Sequence, residues 1–225
     1  MEHNRIALIA SLDTKLKETL YAKHEIESCG GQGLIIDIST KTLVDAGAAV
    51  GPADILARYG MTWEEFGPLD KAQSIETMSN ALTAVMPALY AEGLFDAVIS
   101  IGGGQNARMA AAAMKSLPFG VPKIVASSLA CGRRTMEQYV GDKDIMVVHT
   151  VADISGLNYT TKTVIHNVCH AALGMLQYQR QVTPDSRKKI AATMLGITSK
   201  GVEGALRLLP DGTYEKTCFH ANGVG

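Results

Sequence analysis

The chain has 225 residues, of which 47% are hydrophobic and 5% aromatic, and its 21 Lys and Arg against 22 Asp and Glu give a net charge of −1. That length suits one full domain and part of a second, and the neutral balance with few aromatics argues against a nucleic-acid partner. No apolar run is long enough to span a bilayer, so no membrane partner is expected.

Taken in order, RIALIA at 5–10 reads as a buried strand that meets SLDTK at 11–15. A helical pattern then begins near Lys15, with Leu16, Leu20, Ala22 and Ile26 on one side, and stops at Gly30-Gly31. GLIIDI at 33–38 follows as a second strand. Strand, helix and strand within so short a span form a βαβ unit, which implies a parallel sheet covered by helices.

Residues 40–69 are punctuated by Gly and Pro, with a short helix in DILARYG and Asp54 near its start. A long helix is predicted over 71–92 from Ile75, Met78, Leu82, Val85, Met86 and Leu89, with Pro87 as a site of kinking. FDAVISI at 95–101 is the next strand, then a triple glycine and a helix over 106–116. VPKIVAS at 121–127 and DIMVVHT at 144–150 are further strands, and a long helix is predicted over 161–177.

The polar segment after this, with Pro184, reads as a linker. The remainder, from KIAATMLGITSK onward, echoes RIALIASLDTK in its strand, loop and helix order. The fold class expected is therefore α/β, a Rossmann-like parallel sheet flanked by helices, plus the start of a second similar α/β unit. Residues 1–178 would form the first domain, 179–187 the linker and 188–225 an incomplete strand–helix–strand. One such unit cannot bury a core by itself. It implies a truncated chain, an added edge, or an arm exchanged within a homo-oligomer, a dimer or larger.

Cys29, Cys131, Cys169 and Cys218 form no CxxC pair and no disulfide or zinc-knuckle spacing. Buried, inert thiols in a reducing, cytoplasmic compartment are expected.

In an open parallel sheet the ligand crevice lies beyond the carboxyl ends of the strands. Four loops should gather there: 11–15, 102–106, 127–134 and 149–158. Gly102, Gly103 and Gly104 leave backbone N–H groups free before a helix, which favours phosphate or carboxylate; a plain tight turn is the alternative. Asn106 could cap that helix and Arg108 add charge. The spacing meets no standard nucleotide fingerprint. Asp13 or Thr14 either caps the first helix or, with Lys15, binds a phosphate and its metal. Ser127, Ser128 and Gly132 offer hydroxyls and a flexible turn beside Arg133 and Arg134, and Cys131 is open to a reactive-thiol reading. Asp142, Asp144 and Asp153 are turn residues or Mg²⁺ ligands. HNVCH at 166–170 spaces His166 and His170 as in a zinc protease, but Asn167 replaces the general-base Glu and no third ligand is evident, which argues against zinc hydrolysis.

Together, LDTK at 12–15, DAVISIGGG at 96–104, LPFGVPKIVASSLA at 117–130, YVGDKDIMVVHTVADISGLN at 139–158 and FHANGVG at 219–225 resemble the Tm-like ATP-binding domain family, which includes the N-terminal domain of the tomato mosaic virus resistance protein and uncharacterised bacterial proteins. The resemblance implies a module that holds ATP with Mg²⁺, with or without slow hydrolysis. Its binding loops would be Asp13, Thr14 and Lys15; Gly102 to Gln105 and Asn106; and Ser127, Ser128 and Gly132. Asp144 and Asp153 lie in the pattern assigned to the metal. The loop GGGQNAR departs from the family's richer run of glycines and hydroxyls, so Gln105 or Asn106 would have to substitute. Members continue beyond FHANGVG, so the chain resembles an N-terminal portion. Two alternatives stand beside ATP binding. One is an NAD-dependent oxidoreductase similar to the iron-dependent alcohol dehydrogenase and dehydroquinate synthase group. The other is a non-catalytic module for an unknown protein partner.

Overall fold

Arg5–Ala10 (β1) alternates Ile6 and Leu8 toward one face with Ala7 and Ile9 toward the other, and all four are buried. That two-sided burial is what a central strand of a helix-covered parallel sheet requires. The computed structural model describes residues 4–131, 137, 139–178 and 185–221. They fall into two compact units, residues 1–179 and 180–225.

In the first unit, β1 leads into helix α1 (Leu12–Ser28) and strand β2 (Gln32–Asp37). Two short helices, α2 (Pro52–Tyr59) and α3 (Trp63–Phe66), precede the long α4 (Lys71–Ala91). Strand β3 (Ala97–Gly102), helix α5 (Gly104–Lys115), strand β4 (Lys123–Ser127), strand β5 (Met146–His149) and helix α6 (Tyr159–Gln177) complete it among the described residues. The five strands are all parallel, in the order β2-β1-β3-β4-β5. The expected Rossmann-like α/β sheet is present.

The order places a topological switch point between β1 and β3. The chain leaves β1 toward β2 on one face and returns from β2 to β3 on the other. One apolar layer joins α1 and α6 to Ile6, Leu8, Ile99 and Ile124. The other joins α2, α4 and α5 to Ala7, Ile9, Val98 and Val125. Burying each such aliphatic side chain contributes about 1.5–3 kcal/mol, so the sheet is anchored from both sides.

Several boundaries differ from the sequence reading. Helix α1 starts at Leu12 rather than near Lys15, although Lys15 keeps a non-helical backbone (φ −130°, ψ 26°). Helix α4 continues through Pro87 to Ala91. It begins on Asp70, whose carboxylate accepts from the N–H groups of Ala72 and Gln73 at 2.8 and 2.9 Å. Only one cysteine, Cys169, is buried; Cys29, Cys131 and Cys218 are exposed, because they fall on helix ends, loops and the second unit rather than on core faces.

The second unit pairs β6 (Lys188–Met194) with β7 (Tyr214–His220) in parallel, joined through helix α7 (Ser199–Arg207). None of its described residues is buried, and Leu195, Ile197, Leu208 and Phe219 are exposed. No helix among the described residues is long and apolar enough to cross a membrane.

Candidate functional site: a cleft at the switch point

The β1–α1 turn is held from below. The Leu12 N–H donates to Asp37 Oδ1 at 3.0 Å, and the Asp13 N–H donates to Ser39 Oγ at 3.0 Å. The N–H groups of Thr14 and Lys15 both return to the Ser11 carbonyl. Asp37 is fully buried and also accepts from the N–H and hydroxyl of Ser39, while its Oδ2 has no hydrogen-bond partner among the described residues. Burial pushes its carboxyl above the usual range, against those hydrogen bonds. Because the backbone donors of this turn are spent internally, α1 delivers side chains to the crevice: Asp13, Thr14 and Lys15.

The glycine segment is organised differently. Gly102 ends β3, Gly103 precedes α5 in extended conformation (φ −71°, ψ 177°), and Gly104 is the first helical residue. The three glycines serve different purposes. A Cβ on Gly102 would stand 2.8 Å from Asn106 Nδ2 and 3.0 Å from its Cβ, so this glycine makes room for Asn106. A Cβ on Gly104 would meet the side chain of Leu129, whereas one on Gly103 would meet nothing within 4 Å.

Asn106 is buried and works as a strut. Its amide nitrogen donates to Ser100 Oγ at 2.8 Å, and its oxygen accepts from the Ser11 N–H at 3.1 Å. It ties the first turn of α5 to both β3 and the β1–α1 loop. Asn106→Ala should leave the Ser11 N–H without its acceptor and the buried Ser100 hydroxyl without its donor, and cost about 2 kcal/mol in a chemical-denaturation measurement. A change under 0.5 kcal/mol would remove the strut role.

With Asn106 so engaged, the start of α5 lacks a side-chain cap. The first bond in its turn is from the Ala107 N–H to the Gly103 carbonyl at 3.0 Å. The N–H groups of Gly104, Gln105 and Asn106 have no partner among the described residues. This is the partial positive charge and donor set of an open helix N-terminus. By contrast, α4 and α6 start on Asp70 and Asn158, which occupy their own first turns.

These parts border one cleft of about 470 Å³. The β1–α1 turn supplies Ser11, Asp13, Thr14 and Lys15; the start of α5 supplies Gly103, Gly104, Gln105, Asn106 and Met109. Ser128 and Leu129 enter after β4 and Asp153 after β5. Ser128 Oγ donates to Asp153 Oδ1 at 2.7 Å. The loop carrying Asp153 is fixed by the Gly156 N–H donating to the buried Glu18 carboxylate at 2.6 Å. It includes Val151 in the left-handed region (φ 63°), a strained setting for a β-branched residue.

Some expected site residues stand elsewhere. Ser127 is fully buried, its hydroxyl accepting from the Leu129 N–H at 3.2 Å, so it shapes the loop from beneath. Asp144 precedes β5, at the end of the sheet away from the cleft, and accepts from Lys123 Nζ and the Gly120 N–H, both at 2.8 Å. Gly132 lies outside the described residues.

Three polar lining residues escaped the sequence reading: Thr40, Lys41 and Lys71. Thr40 and Lys41 were accessible in principle, since they follow β2 and the strand-end rule applies there too. Lys71 opens α4 and had no such signal. The lining thus carries three lysines against two aspartates, with α5 adding partial positive charge. Ile75 and Met109 form an apolar wall that continues into a groove of about 380 Å³ between α4 and α5. The arrangement can hold an anion at one end and a flat apolar group at the other.

A UPF0261 protein of Clostridium tetani is 31% identical over 224 residues, covering 99% of this chain and 55% of its own length. A UPF0261 protein of Rhizobium meliloti is 30% identical over 229 residues, covering 98% of this chain and 54% of its own. The ToMV resistance protein Tm-1(GCR237) of Solanum lycopersicum is 28% identical over 243 residues, covering 98% of this chain and 32% of its own. The chain therefore spans about half the length of the bacterial relatives it matches. Residues 4–181 match the N-terminal domain of an uncharacterised protein family, UPF0261, and the chain belongs to that family.

Proposed function

We propose that this UPF0261 domain is a nucleotide-binding module that takes ATP with Mg²⁺ in the switch-point cleft. The observation that carries the reading is the first turn of α5, whose N–H groups have no partner among the described residues, opening on a cleft that also receives Lys15, Lys41 and Lys71. Phosphate oxygens are the ligand chemistry that such a donor set favours. Ile75 and Met109 offer a surface for the base.

The cleft's oxygen donors fit a hard divalent ion. Asp13, Asp153, Thr14 and Ser128 are carboxylates and hydroxyls, and Mg²⁺ is bound through one or two carboxylates plus phosphates and water. Asp144 is left out of that set because Lys123 holds it at the other end of the sheet. When bound, Mg²⁺ would neutralise phosphate charge beside Asp13 and Asp153. Ser128, hydrogen-bonded to Asp153, orients that carboxylate. Binding, with a ligand-controlled surface for an oligomer or another protein, is the activity assigned.

Thermal unfolding tests it. Mg-ATP at 100 times its Kd should stabilise the chain by about 2.7 kcal/mol. For a chain of this size that is a rise in Tm of roughly 5–11 °C. No rise with Mg-ATP would contradict the reading, and a larger rise with NAD⁺ would move the assignment to the dinucleotide alternative.

A further inference from the structure

A second chemical cluster lies where α1 packs against α6, and it uses the histidine pair of HNVCH. Glu25 and Cys29 are four residues apart at the end of α1, and His166 and His170 four apart on α6. That spacing puts each pair on one side of its helix. The third ligand that the sequence did not supply comes from a helix more than 130 residues earlier, as the separations of 141 residues in these contacts record.

The geometry is convergent. His166 Nδ1 stands 2.9 Å from Glu25 Oε2, and His170 Nε2 stands 3.9 Å from the same oxygen. Cys29 Sγ is 3.6 Å from His170 Nε2. The ligand atoms of Glu25, His166 and His170 all lie within 4.8 Å of one another. In a tetrahedral zinc site, bonds of about 2.0–2.3 Å put neighbouring ligand atoms roughly 3.3–3.6 Å apart. Glu25, His166 and His170 already approach that spacing, and Cys29, whose Sγ stands beside His170, can turn in as the fourth donor.

A plain ion pair between Glu25 and His166 accounts for one contact. It does not account for the second imidazole, stacked on the first at 3.9 Å between centroids, or for the thiol beside it. The two imidazoles are 51% and 39% exposed, which leaves a path for an ion from solvent. The neighbouring thiol of Cys169 is no competitor: it is buried and contacts the Ala22 carbonyl.

We propose that Glu25, Cys29, His166 and His170 bind a divalent transition-metal ion of the zinc class and thereby clamp α1 to α6. Two imidazole nitrogens, a thiolate and a carboxylate suit Zn²⁺, with Co²⁺ as its spectroscopic substitute, and do not suit Mg²⁺ or Ca²⁺. Four protein ligands make a closed, structural site rather than a catalytic one with an open position. The clamp is independent of what the switch-point cleft binds, but it fixes the helix whose other end carries Asp13, Thr14 and Lys15.

The test is a Co²⁺ titration of the untagged, reduced, chelator-treated full chain. One equivalent should bind, with visible bands of tetrahedral intensity and a near-ultraviolet thiolate-to-cobalt band. Cys29→Ser should lose the thiolate band. The double variant His166→Ala/His170→Ala should lose affinity on the order of 100-fold or more, beyond what loss of an outer-shell partner costs. Zn²⁺ should raise Tm in the wild type and not in the double variant. Cys29 and His166 are exposed and His170 half-exposed, so the variants should fold, and circular dichroism checks that they do. Absence of saturable one-to-one binding, a thiolate band that survives Cys29→Ser, or unchanged affinity in the folded double variant would each overturn the site.

Discussion

Replacement of Lys123 by methionine is expected to cost the domain about 3 kcal/mol, read as a fall in Tm of roughly 6–12 °C. Lys123 is the first residue of β4 and is fully buried. Its ammonium donates to the carbonyls of Pro118 and Val121, both at 2.9 Å, and to Asp144 Oδ1 at 2.8 Å. Removing it leaves two carbonyls and a carboxylate without their donor. Breaking a wholly buried pair costs about 3–5 kcal/mol, and Asp144 is 28% exposed, so the lower end applies.

The same pair gives a pH dependence of known sign. Burial pushes the Asp144 carboxyl up, but the hydrogen bonds from Lys123 and the Gly120 N–H outweigh it and hold it below the usual range. A carboxyl depressed in the folded state contributes stability above its unfolded value, and that stability is lost as pH falls through the folded value. The difference between wild type and Lys123→Met should therefore narrow in acid. A constant difference from neutral pH down to pH 2–3, about the lower limit of carboxylate titration, would exclude the pair as its source.

The second large effect concerns Gly103. Gly103→Val should leave folding nearly unchanged, because a Cβ there meets nothing within 4 Å and the backbone (φ −71°) suits any residue. It should weaken Mg-ATP by about 100-fold or more, equivalent to about 2.7 kcal/mol, because the new side chain occupies the space over the first turn of α5. Gly102→Ala is the control with the opposite signature. Its Cβ would strike Asn106 and destabilise the fold through the strut.

Much of the fold was legible because it rests on periodicity. Apolar runs such as RIALIA and DAVISI became fully covered strands, and the Gly30-Gly31 stop after α1 holds. Tertiary context decided the rest. Helix α1 starts three residues early because Asp37, at the end of β2, and Ser39, just after it, accept its first N–H groups, and nothing local to SLDTK announces that. The triple glycine read as one loop, yet only Gly103 lies outside regular structure, since Asn106 and Leu129 pack over its neighbours. Strand ends pointed to Asp13, Thr14, Lys15 and Ser128, which the fold gathers in one cleft, but not to Lys71, which arrives on α4. The third and fourth donors beside His166 and His170 were invisible for the same reason: Glu25 and Cys29 look like ordinary helix-surface residues until α1 and α6 are packed together.

The most direct test of the nucleotide reading is isothermal titration of Mg-ATP into the wild-type chain and into Gly103→Val, with Tm measured on both. One-to-one binding in the wild type, lost in a variant of unchanged Tm, is the predicted result. No heat of binding in the wild type, or equal affinity in the two proteins, would contradict it.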